Sequence, residues 1–153
     1  MWNGKIESIY IAAEAKAPMQ AVDQARAVPG VGLEGDRYAL KKGTFYKPLP
    51  DREITLVEAE AVEALKTEYD AVISAADVRR NIVTRGVPLN HLVGQEFYIG
   101  PVKLRGIRLC EPCNHLEGLT GKPMIQWLTH RAGLRAQILS DGVVRLGDAV
   151  RQV

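Results

Sequence analysis

The side chains best suited to chemistry are grouped at Cys110-Glu111-Pro112-Cys113-Asn114-His115, which holds both cysteines of the chain. A structural zinc site wants four Cys or His ligands at set spacings. Only His91, His115 and His130 are available to complete such a set, and no second pair stands at finger spacing. A thioredoxin-like dithiol wants its first cysteine at the start of a helix. Asn114 to Gly121 contains two glycines and no helical stripe, so no helix is expected there. Covalent haem attachment needs a histidine directly after the second cysteine, and Asn114 intervenes. Two readings remain. In one, a thiolate at a strand end binds a soft or thiophilic metal or attacks as a sulfur nucleophile. In the other, both cysteines are inert core residues. The proline beside Cys113 and the nearby His115 favour the first.

A second constellation is basic. Arg79-Arg80-Asn81 precedes an apolar run and Arg85 follows it. Adjacent strand residues face opposite ways, so one of Arg79 and Arg80 is expected to point inward, where a guanidinium needs an anion. Lys103, Arg105 and Arg108 lie along the segment leading to the cysteines. Lys103 and Arg105 share a face and Arg108 takes the other, unless Gly106 marks a bulge. Planar guanidinium groups suit a phosphate or a carboxylate. His115 and His130 are candidate proton donors, because imidazole titrates near neutrality.

Gly30-Val31-Gly32-Leu33-Glu34-Gly35 spells the dinucleotide-binding pattern. That pattern works only between a strand and a helix, where the helix start meets the pyrophosphate. No helical periodicity follows, so these glycines are expected in a loop that needs positive φ or close backbone approach. Asp36 and Arg37, just beyond it, are candidates to face a pocket.

The elements that must position these groups are mostly strands. Lys5 to Ala12 alternates apolar and polar residues, and Ala21 to Val28 does so more weakly. Lys41 to Asp51, with Gly43, Pro48 and Pro50, is expected to be a loop. Thr55 and Glu58 form a capping-box pair, with Val57, Ala61 and Leu65 as the buried stripe of a helix behind them. Asn81 to Thr84 is a short strand. Gln95 to Ile99 and Val102 to Cys110 form a hairpin about Gly100-Pro101. Pro123 to Arg131 is a second helix ended by Gly133. Leu134 to Ser140 and Val143 to Arg145 flank Asp141-Gly142, a strong hairpin signal. Many short strands and two helices predict a mainly β fold, a closed or nearly closed barrel with a few flanking helices.

The 153 residues suit a single domain spanning 1–153, and a net charge of +2 does not mark a dedicated nucleic-acid binder. There is no polybasic run for a membrane surface, no apolar stretch of spanning length and no signal-peptide hydrophobic region. A cytoplasmic protein, where a close cysteine pair is chemical rather than structural, is the expectation.

Taken together, Gly32-Leu33-Glu34-Gly35-Asp36-Arg37-Tyr38, Arg79-Arg80-Asn81-Ile82-Val83, Gly94-Gln95-Glu96-Phe97, Ile99-Gly100, Pro112-Cys113, Arg131-Ala132-Gly133 and Gly147-Asp148 resemble the MOSC family, named for the C-terminal domain of molybdenum cofactor sulfurase. The resemblance implies a β-barrel of the pyruvate-kinase barrel type with flanking helices. It implies that Cys113 serves as a molybdenum ligand or sulfur carrier. It also implies that the molybdopterin phosphate lies among basic and polar side chains. Arg79, Arg80 and Asn81 match the family's Arg-x-Asn element, and Asp36, Arg37 and Arg108 are further candidates.

At family level the resemblance extends to pyridoxal phosphate binding, although this chain has no aminotransferase-like domain. It also lacks the extra N-terminal barrel of the amidoxime-reducing relatives. Two functions follow as expectations. One is reduction of small N-hydroxylated compounds, fed by an electron-donor protein. The other is carriage of persulfide sulfur from a cysteine desulfurase. A third reading is non-catalytic binding of the pterin or another anion. Neither nucleic acid nor membrane is an expected partner, and a homodimer is left open.

Overall fold

The computed structural model describes residues 2–153. In chain order its elements are β1 (Gly4–Ile11), β2 (Gln20–Val22), β3 (Gln24–Val28), β4 (Gly32–Leu33), β5 (Ile54–Glu58), α1 (Ala59–Tyr69), β6 (Ile82–Arg85), β7 (Glu96–Ile99), β8 (Val102–Leu109), α2 (Asn114–Thr120), α3 (Met124–Leu128), β9 (Leu134–Ile138), β10 (Gly142–Arg145) and β11 (Ala149–Gln152). Seven strands close a barrel in the order β1-β11-β7-β8-β9-β5-β6 and back to β1, with β2 added outside β1. The mainly β barrel matches the fold class expected from the strand spacing. The β7–β8 hairpin forms about Gly100-Pro101, with Ile99 opposite Val102. A bulge at Gly106 shifts the β8–β9 register, as one of the two sequence alternatives required.

The core has two compartments, and β5 and β6 serve both. Ile54, Leu56 and Ile82 point into the barrel beside Phe97, Ile99 and Leu104. Val57 and Val83, on the alternate face, pack under Val62, Leu65, Leu116, Met124 and Leu128 of the helical layer. Strands buried on both faces lose the apolar–polar alternation of an exposed sheet. They also pair in parallel, Leu56 opposite Ile82, across the α1 crossover. One strand–helix–strand unit therefore exists that no residue pattern announced.

Several local expectations are corrected. Thr55 and Glu58 do not cap a helix, because Ile54–Glu58 is β5 and the helix begins at Ala59. Burial on two faces overrides the local capping signal, and Thr55 turns its hydroxyl to Asn81 instead. A capping box does form at Ser74 and Asp77, on a 3-10 turn over Ala75–Val78. Asn114–Thr120 is helical, and the second expected helix shrinks to Met124–Leu128.

Asp141-Gly142 does not join a hairpin. β9 stays in the barrel, while β10 crosses to pair with β3 in a separate three-stranded sheet, β10-β3-β4. Arg26 on β3 grips Asp141 with Nε and Nη2 at 3.0 Å each. The expected loop at Gly30–Gly35 is present, with positive φ at Gly30, Gly32 and Gly35. Its Gly30 N–H donates to Glu53 Oε1, which also accepts from Ile138 N–H, both at 3.1 Å.

Gly133 is the backbone position with least tolerance. Its φ is +118°, and a Cβ there would run into the Leu56 carbonyl of β5. Gly133→Ala is expected to lower unfolding free energy by about 2 kcal/mol or more, measured by urea titration. Glu53 allows a second test. Burial raises its carboxyl pKa above the usual 4.5, against the two backbone donors. The folded state thus holds this proton to higher pH than the unfolded state, so the residue's contribution to stability falls as pH rises from about 4.5. Glu53→Gln keeps one acceptor oxygen and loses the titration. Its melting temperature should gain on that of the wild type as pH rises from about 4 to 7.

Candidate functional site

One cleft collects most of the chemically capable side chains. β8 delivers Cys110, whose N–H donates to the Gly133 carbonyl at 2.8 Å. Residues 110–113 make no turn, and Cys113 stands at the N-cap of α2 with extended backbone, φ −145°. Opposite lie Arg79, which caps the 3-10 turn in the left-handed region at φ 61°, and then Arg80. Arg37, Tyr38, Thr55 and Arg135 line the depth, and Phe45 and Leu119 flank the mouth. The enclosed space, mouth included, is about 550 Å³. Cys110 is buried and Cys113 half-buried, both as free thiols. The inert-core reading therefore fits Cys110 and not Cys113.

Arg80 is 8 % exposed and bonds only to neutral carbonyls. Its Nε donates to Ala132 O at 2.9 Å, Nη1 to Val78 O at 3.1 Å and Nη2 to Cys110 O at 2.9 Å. Arg79 likewise donates Nη1 to Ala17 O at 2.7 Å and Nη2 to Ala15 O at 3.1 Å. Burial, and then repulsion from Arg37, hold the Arg79 pKa below its ordinary value. Among the described residues neither guanidinium has a carboxylate partner, whereas Arg37 has Asp36 at 3.1 Å. Glu111, the one acidic lining residue, is engaged by His130, with Nδ1 at 2.6 Å from Oε2. The cleft therefore carries positive charge that its own walls do not neutralise. Such a cavity attracts anions.

Of the sequence candidates, the structure brings Cys113, His115, Arg37, Arg79 and Arg80 to this cleft. His115 packs edge-on to Phe45, ring centroids 5.4 Å apart, and its ring nitrogens have no protein hydrogen-bond partner among the described residues. The expectation that one of Arg79 and Arg80 alone turns inward is corrected. Arg79 lies in a left-handed cap rather than a strand, and both line the cleft.

Asp36, Asn81, Arg108 and His130 do not line it. Asp36 is fully buried and accepts from Ala12 N–H, Tyr38 N–H and Arg37 Nη1. Asn81 ties three strands, its Oδ1 accepting from Thr55 N–H and Oγ1 while Nδ2 donates to Tyr10 O. Arg108 follows the Gly106 bulge to the outer surface and pairs with Asp51 at 2.7 Å. His130 is exposed at the rim. Sequence reasoning missed Arg135, Phe45, Thr55 and Glu111. Arg135 sits opposite Arg108 in the β8–β9 ladder, a signal that needs the strand pairing first.

The MOSC domain profile matches residues 36–151, which contain the cysteine pair, Arg79, Arg80 and the barrel strands from β5 onward. This chain belongs to the MOSC family. The family is associated with molybdenum cofactor sulfurase-like proteins and, in general, with molybdenum cofactor binding. Solved structures share the MOSC fold seen here. YuaD protein from Bacillus subtilis is 19% identical, with 98% of this chain and 97% of that chain covered and a TM-score of 0.77. YiiM from Geobacillus stearothermophilus is 15% identical over 98% of this chain and 75% of that one, with a TM-score of 0.76. YiiM from Escherichia coli is 18% identical over 100% and 70%, with a TM-score of 0.71. No protein of curated function matches the sequence. No helix among the described residues of this MOSC chain is long and apolar enough to cross a membrane.

The two thiols should differ in reach. A water-soluble disulfide reagent is expected to label Cys113 in the folded protein and Cys110 only after denaturation, read by mass spectrometry of the digested chain. Rapid labelling that survives Cys113→Ser would show that the cleft does not present this sulfur.

Proposed function

We propose that the cleft binds the molybdenum cofactor and reduces small N-hydroxylated compounds, such as hydroxylaminopurines or amidoximes. The observation that carries this reading is the meeting, in one opening, of a half-exposed thiol with two guanidinium groups that lack carboxylate partners. The donor set fits. Among the described residues no group of three or more His, Cys, Asp or Glu side chains converges. A metal held at Cys113 must therefore bring most of its own ligands, and a pterin dithiolene supplies soft sulfurs that match a thiolate.

The chain's own residues have separable tasks. Cys113 Sγ is the protein ligand. Arg79 and Arg80 keep donor N–H groups beyond those given to carbonyls, and these hold the anionic phosphate. Arg80 also orients the loop that carries Cys113, because it grips the Cys110 carbonyl. Phe45 and Leu119 narrow the mouth and exclude water from the reacting end. His115, with both ring nitrogens free of protein partners, donates protons. When bound, the cofactor supplies two-electron cleavage of an N–O bond. Conversion of R–NHOH to R–NH₂ takes up two electrons and two protons and releases water. The electrons come from a partner, because the chain has no flavin or iron–sulfur motif.

Protein made in a cofactor-competent host and purified without oxygen should carry molybdenum and pterin. It should also reduce a hydroxylaminopurine with a chemical reductant. Cys113→Ser is expected to lower molybdenum content about tenfold or more. Lack of both metal and pterin in the wild type would overturn the reading. The half-exposed Cys113 leaves sulfur carriage as the alternative, and added sulfur on Cys113 after incubation with a cysteine desulfurase would establish it.

A further inference from the structure

The loop between Tyr38 and Pro50 has two working sides. Lys41 and Lys42 N–H groups tie its start to the Tyr38 and Arg37 carbonyls. Beyond them, the Tyr46 and Leu49 N–H groups donate only to Gly43 and Lys47 carbonyls of the same loop. Its inner side places Thr44 and Phe45 on the cleft that holds Cys113. Its outer side, with Val31, Lys41, Tyr46, Lys47 and Leu49, walls a separate surface groove of about 780 Å³.

This outer side is apolar and positively charged together. Leu49 is 49% exposed and Val31 42%. Neighbouring exposed apolar groups ringed by charge mark interaction surfaces on soluble domains. The nearby carboxylates are already engaged. Glu14 holds Lys42, Glu34 faces Arg26, and Asp51 holds Arg52 and Arg108, while Glu53 is buried. Lys41 and Lys47 have no ion-pair partner among the described residues. Glu53 lines the buried floor of the groove, while the exposed charge at its rim, from Lys41 and Lys47, is positive around an apolar centre, one loop's thickness from the cleft.

We propose that this outer face docks a small acidic electron-transfer protein, which delivers the reducing equivalents the cleft requires. The proposal rests on the reductase reading above for what the partner brings. It rests on the groove alone for where the partner sits and for its charge. Acidic groups on the partner pair with Lys41 and Lys47 at the rim, and its apolar contact covers Leu49, Tyr46 and Val31. Charge at such a rim acts mainly on association rate and salt dependence. Position favours a protein over a lipid surface, because electrons must reach the neighbouring cleft.

The test uses the full chain and a plant-type [2Fe–2S] ferredoxin as the acidic probe. Binding is measured calorimetrically at low and high salt, independently of turnover. Binding of the wild type should weaken steeply with salt. Lys41→Glu with Lys47→Glu should weaken low-salt binding about tenfold or more and flatten that dependence. Turnover with reduced methyl viologen, which needs no docking, should be unchanged in the double variant. Undiminished ferredoxin binding by the double variant would overturn the proposal. So would lysine-dependent sedimentation with phosphatidylglycerol vesicles in the absence of ferredoxin binding. If viologen drives no reduction by the wild type while ferredoxin binding stays lysine-dependent, the reductase reading falls and the docking surface stands.

Discussion

The guanidinium of Arg80 holds together three segments that lie far apart in sequence. Its hydrogen bonds reach Val78 in the 3-10 turn, Cys110 at the end of β8 and Ala132 before β9. Arg80 itself is 8 % exposed. The bonds fix the approach of the loop that presents Cys113 to the turn that presents Arg79. Without them a buried cation would lack partners altogether, which costs far more than an ordinary hydrogen bond contributes. The site's geometry is therefore part of the fold's own polar bookkeeping.

That arrangement solves orientation and leaves charge unsolved. Carbonyl dipoles satisfy N–H donors but do not cancel a net charge. Burial, and then repulsion from Arg37, hold the pKa of the still-charged Arg79 below its ordinary value. An entering anion relieves this repulsion and gains from the low dielectric at once. The neighbouring thiol then lies against a cavity that is positive before any ligand arrives. Both readings of the cysteine, ligand and sulfur carrier, draw on the same field.

The strand pattern was legible where one face meets solvent. β1 alternates, and β7 with β8 announces its turn at Gly100-Pro101. The order of motifs from Gly32 to Asp148 carried the family. Legibility failed where tertiary burial acts on both faces. Ile54–Glu58 reads as a helix start because Thr55 and Glu58 have the right spacing, yet two cores claim its alternate residues. Asp141-Gly142 has hairpin chemistry, yet the next strand pairs with β3 in another sheet, where Arg26 and Asp141 also meet. α2 was invisible because Gly118 interrupts a helix of only seven residues that ends at Gly121. Cys113, His115 and the arginine pair, singled out by residue type, lie on the cleft. Asn81 and Asp36 looked like ligand contacts because they are polar and close to arginines, but each is occupied by backbone groups. Phe45 and Arg135 required the three-dimensional arrangement.

The seam of the barrel has a kinetic consequence. β1 and β11 meet with Gly4 opposite Val150 and Lys5 opposite Ala149. Of the partners of β1, β2 follows it directly and β6 comes midway, while β11 is the last of these strands to be made. Until then the end of β1 at Gly4 and Lys5 keeps an open edge, capable of pairing with a stranger. Joining such distant partners also makes ring closure entropically demanding, which slows folding relative to a domain of local contacts. Crowded, unfinished chains are therefore the state in which this architecture is most exposed to aggregation.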